Sequence, residues 1–240
     1  MAGIARHAEV VAMANLLLLT DGRFPAGGYA HSGGIEQAAE RGRIRDETDL
    51  HAFLHGSLMT IGANAATFAA AACATWSAGS SAGHRDEVLA LLVSEESARM
   101  PSAALRVASR AQARQLLRAA SASWADIEFP RASVVTGDVH LATAQGLVGA
   151  ALEMTPGDSA LLCAYAAVTG PAAAAVRLLG LDPFAVNRVT VALWPVVAEI
   201  VEEAADLAYC SPADLPCRTA PLLEIGGEQH LAREPRMFAS

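Results

Sequence analysis

Residues 46–73, DETDLHAFLHGSLMTIGANAATFAAAAC, decide the fold class. Asp46 is a residue type that starts helices, and Asp49 follows three positions later in a capping-box-like arrangement. Behind them Leu50, Phe53, Leu54, Ser57, Leu58 and Ile61 recur at the helical period, which predicts one buried stripe as far as Cys73. The same period returns on both sides, and no alternating strand pattern reaches a useful length. The sequence therefore predicts an all-α fold, a single-domain multi-helix bundle over residues 1–240.

Upstream, Ala8–Leu19 reads as a short apolar helix after a frayed segment, residues 1–7. Then comes TDGRFPAGGYAHSGGIE, residues 20–36, with one proline and five glycines between two helical segments. Residues tolerant of positive φ beside a ring that fixes φ specify a shaped elbow rather than a slack linker. It carries Phe24, Tyr29, His31 and Ser32, a costly set to display without a partner.

Downstream, Ser77–Gly83 is a polar loop and His84–Arg99 a helix, after which Met100-Pro101 restarts the chain with Pro101 in a first helical turn. Up to Trp124, Arg106, Arg110, Arg114 and Arg118 recur every four residues, forming one ridge. That ridge is either a solvated face or a surface for acidic groups of a partner. Trp124–Gly137 is non-helical, with Phe129-Pro130 within it. Thr155-Pro156-Gly157-Asp158 opens the next helix, Gly170-Pro171 is expected to break it, and Pro195 to kink the helix begun at Asp182-Pro183. Residues 211–240 form a proline-broken tail whose Leu222, Leu223, Ile225, Met237 and Phe238 suit docking on its own domain or on another chain.

Composition bounds the function. The net charge of −8 excludes a basic nucleic-acid groove. All 17 basic residues are arginine, so no Walker A or Schiff-base lysine exists. The four cysteines include no CxxC pair and are expected to be reduced. Val10–Leu19 imitates a signal-peptide core, but Glu9 abuts it and no convincing cleavage site follows. The uncharged run Ser159–Val176 is a poor membrane span because Gly170-Pro171 interrupts it, so a cytoplasmic protein is expected. His31-Ser32 fits no nucleophile elbow, since Ala30 stands where GxSxG needs glycine. His51 and His55 have metal-compatible spacing but no third ligand nearby, which leaves a histidine-based nickel carrier as an alternative.

The chain resembles the urease accessory protein family UreF. The resemblance rests on Leu16–Leu19, Phe24-Pro25, Gly27, Tyr29, His31-Ser32 and Gly34-Ile35-Glu36, followed by Arg106, Ser109 and Arg114. It continues through Phe129-Pro130 and Val134–Gly137, Ala174–Leu179 with Arg177, and the closing block with His230 and Arg236–Ser240. The resemblance implies an all-α, dimeric, non-enzymatic scaffold that acts with UreD (UreH in some species) to bring the GTPase UreG to the urease apoprotein. It implies no cofactor, nickel being handled by the complex rather than held by this chain. It also implies partner-binding roles for Tyr29, His31, Ser32, Glu36, Arg106, Arg177, His230, Arg236 and Phe238, with Tyr29 and Arg236 recruiting the GTPase and the tail docking on UreD.

Overall fold

Side-chain caps set where several of the helices begin. In the computed structural model, which describes residues 2–28, 31–129 and 139–231, every regular element among those residues is helical. Asp46 accepts the Asp49 amide at 2.9 Å and opens α3 (Glu47–Ser57), after α1 (Ala2–Thr20) and α2 (Ile35–Glu40). Ser81 and Ser102 cap α5 (Ala82–Ala98) and α6 (Ala103–Ser123), while α4 (Ala63–Ser77) continues from α3. Thr155 and Asp158 form the reciprocal capping box of α8 (Pro156–Leu179), which follows α7 (Leu141–Ala151). Asp182 caps α9 (Pro183–Ala192), and Leu193 joins it to α10 (Trp194–Leu207) at a bend of 41°. The last described element is α11 (Pro221–Leu231).

Helix α4 is the axis of the bundle, with α7, α8 and α10 packed around it. Its buried residues are mostly alanines around Phe68, and α7 answers with Gly146, where a Cβ would stand 2.1 Å from the Ala69 carbonyl oxygen. Small residues on both sides let the backbones approach closely, and dispersion summed over many short contacts replaces bulky side chains.

Several local expectations give way to tertiary packing. Helix α1 begins at Ala2 rather than Ala8. Pro101 precedes the Ser102 cap instead of sitting in the first turn. A π segment, Leu58–Gly62, links α3 to α4. Gly170-Pro171 breaks nothing, for α8 runs through it. A mid-helix proline removes one ladder donor, and here its ring is buried, with its Cγ 2.6 Å from where a Gly33 Cβ would stand. By length and composition the continuous stretches Glu47–Ser77 and Pro156–Leu179 could cross a membrane. In this fold 72% and 56% of their apolar windows are buried inside the bundle, so burial rather than a proline break explains their composition.

Candidate functional site

The elbow is assembled from short polar ties and left-handed glycines. Tyr29 and Ala30 lie outside the described residues. On the way in, Arg23 and Asp21 form an exposed ion pair at 2.6 Å that holds the Asp21 carboxyl down at about 2. Phe24 is buried against Trp124, with ring centroids 5.9 Å apart. The Gln115 side-chain amide donates to the Pro25 carbonyl at 2.7 Å, which ties the elbow to α6. Gly33 (φ 60°) and Gly34 (φ 89°) then turn the chain into α2, conformations that L side chains rarely adopt.

Both glycines also make close approaches. Gly33 faces Pro171 of α8, and a Cβ at Gly34 would stand 2.8 Å from Leu223 Cδ2 of α11. One turn further on, the buried Glu36 Oε2 lies 3.8 Å from His230 Nδ1, also on α11. Elbow and tail helix therefore share one seam. His31 is half-buried, which pushes its imidazole below the usual range. Ser32 is 1% exposed, so its hydroxyl has no access to an ester substrate.

Helix α11 is held on the body by carboxylates placed over a helix start. Glu224 Oε2 accepts the Ser102 amide at 2.8 Å. Glu228 Oε1 accepts the Ser102 hydroxyl at 2.6 Å and the Ala104 amide at 3.0 Å. The Ser102 and Ala104 amides are unpaired donors at the start of α6, where negative charge is favoured. Burial pushes the Glu224 carboxyl up, while the bond from Ser102 pulls Glu228 down. Gly227 admits Leu105 underneath, since a Cβ there would meet Leu105 Cγ at 2.7 Å.

The strap between α10 and α11 is fixed in the same manner. The Arg99 guanidinium donates to the carbonyls of Leu215 (2.8 Å) and Pro216 (3.2 Å) and pairs with Glu95. Asn64 exchanges two hydrogen bonds with the Arg218 backbone, and Arg218 pairs with Glu203 at 2.6 Å. None of Arg99, Asn64, Glu224 and Glu228 stood out in the sequence. The four-residue spacing of the two glutamates was the only signal, because it sets both on one helix face.

The arginine ridge divides. Arg106 donates to the Met100 and Pro101 carbonyls at 2.6 and 2.7 Å, and Arg110 reaches the Ser97 hydroxyl at 3.4 Å. These two are half-buried and serve the fold, whereas Arg114 and Arg118 are exposed. Ser109 also has a structural task, accepting the Leu141 amide at 2.9 Å where α7 begins. Arg177 is exposed in the last turn of α8 and bonds back to the Ala173 carbonyl at 3.4 Å. His51 and His55 stack with centroids 6.2 Å apart, and among the described residues no group of three or more His, Cys, Asp or Glu could hold a metal. Arg236 and Phe238 lie outside the described residues.

The sequence model of the UreF family matches residues 44–193, well over half of the chain. Similarity to curated relatives extends further. The urease accessory protein UreF of Mycobacterium sp. (strain JLS) is 38% identical over 228 residues, covering 95% of this chain and 99% of that protein. The chain belongs to the UreF family of urease accessory proteins. UreF of Mycolicibacterium vanbaalenii is 39% identical over 232 residues, and that of Mycobacterium tuberculosis (strain H37Rv) is 37% identical over 232. UreF is an accessory protein family and not a family of enzymes. The elbow and α11 fall outside the span that the family model matches, whereas the match to the relatives takes in 95% of the chain.

Proposed function

We propose that this UreF protein is a non-catalytic scaffold which, together with UreD, brings the GTPase UreG to apo-urease for nickel insertion. The observation that carries this reading is the seam where the elbow meets α11, with Leu223 against Gly34 and His230 facing Glu36. Segments far apart in sequence meet there on a rigid helical body, as a composite docking face requires. In this reading the whole chain acts as one cytoplasmic domain that forms a homodimer, and residues 211–240 contact UreD. Tyr29 and Arg236 contact the GTPase, and Arg177 belongs to the partner-binding set. Nickel is cargo of the assembly, and this chain holds no cofactor.

The test is co-purification of tagged full-length protein with UreD and UreG. Tyr29→Ala and Arg236→Ala should keep the circular-dichroism spectrum of the parent and lose the GTPase from the complex. Normal GTPase recovery by both variants would remove the proposed roles of these two residues. The stacked His51–His55 pair keeps one competing reading in view, that of a nickel carrier. Equilibrium dialysis separates the two, because tight stoichiometric nickel uptake lost in His51→Ala would favour the carrier.

A further inference from the structure

A cavity of about 320 Å³ lies where α2, α3 and α11 meet. Small residues leave this space open: Ala38 on α2, Ala52 and Gly56 on α3, and Gly226 on α11 all line it. Phe53, Pro221, Leu222 and Leu223 give it an apolar wall. Its volume falls in the range of small-ligand sites rather than of packing defects. The π segment contributes Thr60 to the lining, and such segments recur at functional sites.

The polar groups of the lining are one-sided. The chain carries 25 acidic and 17 basic residues, yet the cavity is lined by Arg41 and Arg43 and by no acid. Both arginines are exposed at the end of α2 and flank Gly42, whose φ of 64° turns the chain there. The turn closes with the Gly42 amide on Ala39 O and the Arg43 amide on Ala38 O, both at 2.9 Å. Gln37, only 6% exposed, also lines the cavity.

We infer that this cavity binds a small carboxylate bearing an apolar tail. The tail fills the space against Phe53 and Leu223, and the carboxylate is neutralised by Arg41 and Arg43. Because α11 forms one wall, an occupant bridges α2 to α11 and braces the tail helix on the body.

Hexanoate is the probe, titrated into full-length protein by calorimetry, with hexanol as its uncharged counterpart. Saturable hexanoate binding is expected, tighter than that of hexanol. The double variant Arg41→Ala/Arg43→Ala should weaken it about tenfold or more, as loss of charge-assisted bonds does. Gly56→Leu should abolish it, because Gly56 lines the cavity, a Cβ there meets nothing within 4 Å, and the larger side chain takes up the space. Leucine also favours helix over glycine, so this variant folds. No saturable hexanoate binding, equal binding of hexanol, or unchanged affinity in either variant would each overturn the inference.

Discussion

The interior of the bundle and the seam between elbow and tail are built in opposite ways. Around α4, backbones touch through alanine and glycine, and Gly146 rests on the Ala69 carbonyl with no room for a methyl group. At the seam, α11 is held by Glu224 and Glu228 over the start of α6 and by Leu223 on Gly34, with His230 facing Glu36, beside an open cavity. Interior order comes from excluded volume distributed over many contacts. Seam order comes from a few polar and glycine-dependent contacts, which single substitutions can remove. Such a face can loosen without unfolding the body.

That contrast can be broken most severely in the interior. Gly146→Val should lower global stability by roughly 3 kcal/mol or more, because side-chain carbons must displace helix backbone. Denaturant unfolding checks this, and a near-neutral result would show that α4 and α7 are not in backbone contact.

A buried acid sharpens the same side. Glu96 is buried, accepts the Thr143 hydroxyl at 2.6 Å, and has its carboxyl pushed by burial up to about 7. The folded state thus holds this proton more tightly than the unfolded chain. The associated stability is full below the unfolded value near 4.5 and is lost as pH rises through about 7. Between those limits the swing is about 3 kcal/mol. Glu96→Gln should remove it, so the stability difference between variant and parent should grow from pH 5 to pH 8 in favour of glutamine. A pH-independent difference would show that Glu96 is ionised in the fold.

At the seam the effects should be local and smaller. Gly34→Ala forces a methyl group onto Leu223 at a φ of 89° and should cost roughly 1–3 kcal/mol. Hydrogen exchange should quicken over residues 221–231 and stay unchanged in α4. Glu228→Gln should act more weakly still, raising exchange in α11 and the first turn of α6 without moving the main unfolding transition. Equal loss of protection in α4 and α11 would show that the two regions are one cooperative unit.

The sequence was most legible where structure is local. The caps at Asp46, Thr155 and Asp182 need only neighbours within three residues, and all three form. The bend before Pro195 also follows from the chain itself. Pro171 was misread because the compensation for its ring comes from Gly33, more than a hundred residues away. The arginine ridge looked uniform because periodicity reports a face and not what lies above it, and the turn at Met100-Pro101 takes up only Arg106. For the site, the glycines of the elbow marked its place, and Glu36 and His230 do come together. The capping role of α11 and the cavity beside Gln37 were invisible, since each exists only between elements.

The central claim is that elbow and tail helix form a single docking face. It is tested most directly by Gly34→Val in full-length protein, co-expressed with UreD and UreG and purified by a tag on UreD. The account predicts a folded variant with an intact main unfolding transition, faster exchange over residues 221–231, and no UreG in the purified complex. Full UreG recovery despite a released α11 would contradict it.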